Sequence, residues 1–150
     1  MSDLYVLDTN VYIDALRNCD ELAALKQFLL RIGQRIRLSG IVALELRAGA
    51  VTPERQRAFE ALVAPHATRE RVLGVSFVAC LEAGRALAAL AAKERVRLAT
   101  APASLTNDAL LAASCREAGA VLLTSNHRDF SRLARHLRGF RFVAPWPGTV

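Results

Sequence analysis

The feature that most constrains this chain is a run of four apolar or aromatic residues, Leu4 to Leu7, that ends in an aspartate. A short run of this kind predicts a strand buried on both faces, as in a parallel sheet. The carboxylate of Asp8 cannot lie inside a core without a partner, because desolvating an isolated charge is costly. We therefore expect Asp8 where the strand emerges, in the crevice at the carboxyl ends of the strands. Asp8 could instead simply cap the helix that follows.

Strand and helix patterns alternate along the rest of the chain. Further strands are predicted at residues 36–39, 72–75, 121–124 and 140–143, and helices at 11–17, 20–35, 42–48, 53–63, 77–95, 106–117 and 129–137. Asn10 is the expected cap of the first helix. The alternation predicts an α/β fold with a mainly parallel sheet of about five strands. At 150 residues, with no linker, we expect a single domain over residues 1–150.

The charge of the chain is strongly positive. The net charge is +6, and 18 of the 20 basic residues are arginines. Residues 109–150 hold six arginines and two acids, and so carry +4 of that charge. A positive face suggests a phosphate-bearing partner, although an arginine-rich coding bias would give the same composition.

Several classes of protein are disfavoured by the sequence. No apolar run approaches the roughly 18 residues of a membrane helix. The N-terminus lacks the plan of a secretory signal, so we expect a cytoplasmic protein. The three cysteines show no Cys-x-x-Cys spacing, which predicts buried thiols and no zinc site. No glycine-rich nucleotide motif occurs.

Acidic and amide side chains recur where strands end or the following helices begin. Asp8 ends the first strand, Glu45 lies near the start of the helix after the second, and Asp108 falls in the first turn of a predicted helix. Asn126 and Asp129 follow the strand at 121–124. Strand ends and the following helix starts share one edge of a parallel sheet, so these groups are expected to converge.

Such a cluster of acids needs a positive charge among them. Like charges raise each other's pKa unless a cation neutralises them. Oxygen ligands favour a hard cation, Mg²⁺ or Mn²⁺, over zinc. An ion of this kind activates water for in-line attack on a phosphate, and the basic surroundings fit a polynucleotide substrate.

Four segments in this order resemble the PIN-domain ribonucleases, and among them the VapC-like toxins of toxin–antitoxin pairs. They are Val6–Asn10, Glu45–Gly49, Asn107–Ala113 and Leu122–Phe130. The resemblance runs almost end to end and implies five parallel strands flanked by helices. It also implies a Mg²⁺- or Mn²⁺-dependent endoribonuclease that forms a homodimer and is blocked by a small antitoxin.

The resemblance assigns roles to the acids of this chain. Asp8 and Asp108 would bind the metal directly, and Glu45 would orient a metal-bound water. Asn126 stands where family members often carry a fourth acid; its amide oxygen can still ligate but adds no charge. Asp129 either substitutes for that acid or caps the next helix, and the cap is favoured. The number of metal ions, one or two, stays open.

Other residues of these segments are expected to support the site. Thr124 and Asn10 would hold Asp8 and its neighbours by hydrogen bonds. The arginines expected to grip RNA phosphates are Arg128, Arg132 and Arg135.

Two other functions stay open. One is a non-catalytic PIN-fold module that binds RNA or a protein partner, which the amide at Asn126 would favour. The other is a structure-specific DNA nuclease. Aspartyl-phosphate phosphatases are excluded because they need a second aspartate at the position of Asn10.

Overall fold

A five-stranded parallel sheet forms the centre of the structure, a computed structural model that describes residues 2–68, 70–95 and 97–146. The strands are β1 (Leu4–Leu7), β2 (Ile36–Ser39), β3 (Val72–Leu73), β4 (Ala120–Leu123) and β5 (Arg141–Val143). Their order is β3-β2-β1-β4-β5, and every neighbouring pair is parallel. The predicted fold class is confirmed.

Seven α-helices lie among the described residues and connect or flank the strands. They are α1 (Thr9–Arg17), α2 (Cys19–Ile32), α3 (Gly40–Gly49), α4 (Pro53–Thr68), α5 (Phe77–Glu94), α6 (Ala103–Ala118) and α7 (His127–Ala134). Short 3-10 turns follow α2 at Gly33–Arg35 and precede α6 at Leu98–Thr100.

The sheet reverses its direction of growth at β1. The chain first adds β2 and β3 on one side of β1, and later adds β4 and β5 on the other. Leu7 pairs with Leu123, so β1 and β4 end at the same level. In an open α/β sheet, such a switch in strand order leaves a crevice at the carboxyl ends of the two strands. Here Asp8 and Thr124 are the first residues beyond them.

The two strands at this switch are the most deeply buried part of the sheet. Val6, Leu7, Leu122 and Leu123 expose 0% of their surface, as the apolar runs predicted. Helices α5, α6 and α7 pack against one another, and α1 packs against α2. The helices α5 and α6 run antiparallel, because Ser76 at the start of α5 donates a hydrogen bond to Glu117 at the end of α6.

Several predicted helix boundaries were wrong, among them those of α1, α4 and α6. Asp8, not Asn10, caps α1, because the Asp8 carboxylate accepts from the first helical N–H. Helix α4 continues through Pro65 to Thr68 instead of ending near residue 63. Helix α6 begins at Ala103, so Asp108 lies in its second turn and is farther from the helix dipole than predicted.

The prediction of buried cysteines is confirmed for one of the three. Cys115 is buried, but Cys19 and Cys80 are exposed. Among the helices that the structure describes, none is both long and apolar enough to cross a bilayer.

Candidate metal centre at the strand switch

Asp8 is held firmly at the mouth of the crevice. It is only 5% exposed and caps α1 by accepting a hydrogen bond from the Thr9 backbone N–H at 2.8 Å. Its other oxygen accepts from the Thr124 hydroxyl at 2.7 Å and from the Asn10 amide at 3.2 Å. Burial nevertheless raises the pKa of Asp8, and the nearby Glu45 adds to the shift. Asp8 is therefore a helix cap, and it also lies at the crevice where the sequence placed it.

The contacts expected of Thr124 and Asn10 are present. Thr124 is fully buried, and its hydroxyl oxygen accepts from the Asn126 backbone N–H at 3.0 Å while it donates to Asp8. The Asn10 side chain donates to Asp8 and, at 3.3 Å, to Thr124, and its oxygen accepts from the Ser125 backbone N–H. This network ties the end of β1 to the loop after β4, so the two strands at the switch share one hydrogen-bonded cluster.

Glu45 reaches the same cluster from α3. The Thr9 hydroxyl donates to one oxygen of its carboxylate, and the Asn107 amide donates to the other at 3.1 Å. Asn107 was not assigned a role from the sequence. Its position directly before Asp108, in a segment matching the resembled family, was the available signal.

Asp108 is the least compensated acid of the site. It is half-buried on α6 and, in the part of the chain that the structure describes, no donor hydrogen-bonds to its carboxylate. Burial raises the pKa of Asp108 to about 7, and repulsion from Asp8, Asp129 and Glu45 adds to the shift. The acids predicted to converge are thus close enough to perturb one another.

The sequence favoured Asp129 as the cap of α7, and this prediction was wrong. Asn126, not Asp129, caps α7, because its side-chain oxygen accepts from the Asp129 backbone N–H at 3.3 Å. The Asn126 amide also donates to the Asp129 carboxylate at 3.2 Å. The helix begins two residues earlier than predicted, at His127, and this moves Asp129 into its first turn.

The three arginines expected to contact RNA differ in their surroundings. Arg132 is paired with two acids: Asp129, at 2.8 Å, and Glu94 at the end of α5. Arg128 is exposed in the first turn of the helix that begins at the crevice, and Arg135 is exposed directly after its last residue. The guanidinium of Arg132 is therefore occupied within the protein, whereas those of Arg128 and Arg135 face solvent.

The donor set of the crevice fits a hard divalent cation. It consists of carboxylates, and the acid at its centre, Asp108, lacks a compensating donor among the described residues. No three Asp, Glu, His or Cys side chains within residues 2–68, 70–95 and 97–146 form a ready chelate. This is compatible with Mg²⁺, which commonly binds one or two carboxylates and keeps several waters. The residues that would hold such an ion are Asp8 and Asp108, with Glu45 and Asp129 within charge range.

Comparisons with known proteins point to one family. The sequence profile described as "PIN domain" matches residues 5–136, which span all four acids of the crevice. No curated protein matches the chain.

Several solved structures share this fold. A chain of DNA-bound VapBC from Salmonella typhimurium is 26% identical, with a TM-score of 0.70; the match covers 95% of this chain and 98% of that one. A chain of VapBC-1 from nontypeable Haemophilus influenzae is 24% identical, with a TM-score of 0.65 and coverage of 94% and 97%. A chain of FitAcB from Neisseria gonorrhoeae is 19% identical, with a TM-score of 0.68 and coverage of 96% and 99%.

The resemblance predicted from four short segments is therefore confirmed over nearly the whole chain. The chain belongs to the PIN-domain family.

Proposed function

We propose that this protein is a Mg²⁺- or Mn²⁺-dependent endoribonuclease and the toxin of a toxin–antitoxin pair. The single observation that carries the proposal is the state of Asp108. This half-buried carboxyl lies within charge range of three other acids, Asp8, Asp129 and Glu45, and has no hydrogen-bond donor among the described residues. A group in that position needs a proton or a cation, and a cation at the switch of a parallel sheet is suited to phosphodiester hydrolysis.

The residues of the crevice would divide the work. When bound, the divalent ion would stabilise charge on the phosphate and acidify a water molecule. Asp8 would bind the ion from a position fixed by its hydrogen bonds to Thr9 and Thr124. Asp108 would bind it from the opposite side, and Glu45, held by Asn107, would orient the attacking water.

The basic surface near the crevice supports a nucleic-acid substrate. Arg128 on α7 and Arg135 directly after it are both exposed. The N-terminal cap of α7, Asn126, contacts the buried hydroxyl of Thr124 through its backbone. Exposed guanidinium groups bind phosphates without base specificity, so these arginines would position the backbone of RNA. The choice of RNA over DNA rests on the VapC-like resemblance.

A groove beside the acids supports a protein partner. It has a volume of about 480 Å³, is lined mainly by apolar side chains of α1, α3 and α4, and includes Glu45. Leu16 on its wall is 61% exposed. An apolar groove of this kind accepts an amphipathic segment, and one bound here would reach the catalytic acids. We propose that the antitoxin binds in this groove, and that the toxin is a homodimer, as the family resemblance implies.

The experiment that tests the activity is a digest of total RNA with purified protein. We expect cleavage that requires Mg²⁺ or Mn²⁺ and is abolished by a chelator, with new 5′ ends mapping to a limited set of sites. A parallel digest of single- and double-stranded DNA should show little cutting, since a DNA nuclease would cut DNA at least as well. RNA binding without cleavage at any concentration of either cation would contradict the proposal and favour a binding module.

The partner is tested by co-expression with any small protein that is encoded beside the gene. We expect a stable complex in which RNA cleavage is suppressed. The substitution Leu16→Glu should weaken the complex and leave cleavage by the isolated toxin unchanged, because Leu16 is an exposed residue of the groove wall and is not among the residues proposed to bind the ion or the water. An equally tight complex in the variant would place the partner elsewhere.

A further inference from the structure

Arg132 lies beside the candidate metal centre, and its guanidinium group forms ion pairs with two acids of the protein, Asp129 and Glu94. One nitrogen of its guanidinium donates to the Asp129 carboxylate at 2.8 Å. The Nε atom donates to both Glu94 oxygens at 3.1 Å, and the remaining nitrogen also pairs with Glu94. All three side chains are 25–31% exposed, so the pairs are partly shielded from solvent. A fork of this kind fixes both the distance and the plane of each carboxylate.

The carboxylate of Asp129 is therefore held on both sides. Arg132 binds one of its oxygens, and the Asn126 amide donates to the other at 3.2 Å. Asp129 is also close enough to Asp108 for its charge to disfavour ionisation there. Held in this way, Asp129 presents negative charge to the crevice from the α7 side.

Glu94 connects this arrangement to another helix. It is the last residue of α5, at the end where the antiparallel α6 begins and where Asp108 lies. Glu94 itself has no hydrogen bond to Asp8, Glu45 or Asp108. Among the described residues its hydrogen bonds are to Arg132 alone, while Arg135 and His136 lie within charge range. The contacts that link Glu94 to the crevice therefore run through Arg132 and Asp129.

We propose that the Glu94–Arg132 pair is a positioning device that holds Asp129 against the divalent-cation site, so that Asp129 supplies the fourth negative charge which Asn126 cannot. This inference rests on the proposed function, since it presupposes a cation among the acids. It assigns Arg132 a role different from binding RNA. It also makes Glu94, a residue outside the four matching segments, a positioning residue for metal binding.

The substitution Glu94→Gln tests the device without altering any acid of the crevice. We expect the dissociation constant for Mn²⁺, measured by calorimetry on the RNA-free protein, to rise about tenfold, as for the loss of other outer contacts to metal ligands. The turnover rate for RNA should fall by a similar factor, while KM and its salt dependence stay unchanged. Glu82→Gln is the matched control. Glu82 lies on the same helix and is 33% exposed. It pairs with Arg85 of that helix and with Arg116 at the distant end of α6.

A charge reversal separates positioning from a merely structural tie between α5 and α7. In the double variant E94R/R132E the interhelical pair is restored, but the new glutamate repels Asp129. A positioning role predicts a melting temperature close to that of the wild type together with weakened Mn²⁺ binding and low turnover. Recovery of both binding and turnover would show that the pair only joins the helices, and would overturn the inference.

The remaining outcomes are also decisive. If Arg132 instead bound RNA, Glu94→Gln would free its charge, lower KM and steepen the salt dependence, with Mn²⁺ binding unaltered. That result would overturn the inference and leave the nuclease function intact. If the wild type neither bound Mn²⁺ nor cleaved RNA, the proposed function would fail first, and the inference with it.

Discussion

Two acids of the crevice that lie within charge range of each other, Asp8 and Asp108, are supported very differently. Asp8 is 5% exposed and accepts hydrogen bonds from a backbone N–H, a threonine hydroxyl and an asparagine amide. Asp108 is less buried but has no such donor among the described residues. The pKa of each is raised, first by burial, yet only for Asp8 do hydrogen bonds oppose the shift.

This difference separates two tasks. The hydrogen bonds to Asp8 favour its ionised form and fix its direction, so the fold itself prepares that ligand. Asp108 has no such hydrogen bonds among the described residues and lies near three other acids, so its ionised form depends on a cation entering the crevice. Asp8 is therefore held in place by the fold, whereas the ionisation of Asp108 should respond to pH and to metal.

The largest effect is expected from Asp8→Asn. The amide keeps the size of the side chain but removes the charge that would bind the cation, and we expect cleavage to fall by about 10²–10³-fold or more. Its NH₂ group would also face the Asn10 and Thr124 donors, at a cost of about 1–3 kcal/mol in the free energy of unfolding. Rates measured beside Asp14→Asn, an exposed acid on the same helix, provide the control. Normal turnover in the Asp8 variant would refute its role.

The next effect concerns the stability of the metal-free protein as a function of pH. With its pKa raised to about 7 in the folded state, Asp108 binds a proton that the unfolded chain has already lost between about pH 4 and pH 7. Its contribution is therefore present at low pH and is lost as the pH rises toward 7. We expect Asp108→Asn to remove this loss, making the metal-free variant more stable than wild type at pH 8 by on the order of 1–3 kcal/mol. Thermal melts at pH 5 and pH 8 measure it.

The same variant should bind metal poorly. Added Mg²⁺ is expected to raise the melting temperature of the wild type at pH 8 and to have much less effect on Asp108→Asn. Equal stabilisation of the two proteins would mean that Asp108 is not a ligand, and that the contrast with Asp8 concerns packing alone.

A smaller effect is expected from Asn107→Ala, which removes the amide that holds one oxygen of Glu45. Loss of such an outer contact costs about tenfold to a hundredfold in activity, and we expect a fall in turnover near the lower figure because Thr9 still holds the other oxygen. The neighbouring Thr106→Ala, at an exposed position, should behave as wild type. If both variants behave alike in single-turnover assays, Asn107 does not orient Glu45.

The smallest effect is expected from Arg128→Ala. One exposed phosphate contact contributes little to affinity, so we expect RNA binding to weaken a few-fold. The slope of log affinity against log salt should become shallower by about one. Turnover at saturating RNA should not change, because Arg128 touches none of the acids. Arg31→Ala, in the last turn of α2 just before β2, is the control; an equal effect there would indicate nonspecific binding.

Much of the fold could be predicted from short-range patterns. The apolar runs of β1 and β4 are only four residues long, yet burial on both faces made them recognisable. Helix ends were less predictable. Pro65 predicted the end of α4, but the helix continues through it to Thr68. Pro102 led to the prediction of a loop, but α6 begins directly after it. A proline can lie inside a helix, as Pro65 does, or directly before one, as Pro102 does, so its position alone did not fix these boundaries.

The sequence predicted which acids come close together, but not which side chains hold them in place. The acids were found because parallel topology requires strand ends and helix starts to share an edge. The pairing of Asp129 with Arg132 and Glu94 could not be found in this way, since Glu94 lies 38 residues from Arg132 at the far end of a different helix. Asn107 was overlooked for the same reason, because its partner Glu45 is 62 residues away.

By itself, the sequence determined the order of strands and helices, the family, and which acids meet at the carboxyl edge of the sheet, because these depend on local hydrophobic periodicity and on the topology that follows from it. Only the tertiary structure decided which of those acids are compensated. Hydrogen bonds and ion pairs between distant segments give Asp8 three donors, tie Asp129 to Arg132, and leave Asp108 without a described donor. The ionisation of each carboxyl depends on the groups within a few ångströms of it, and these come from segments that are far apart in the sequence.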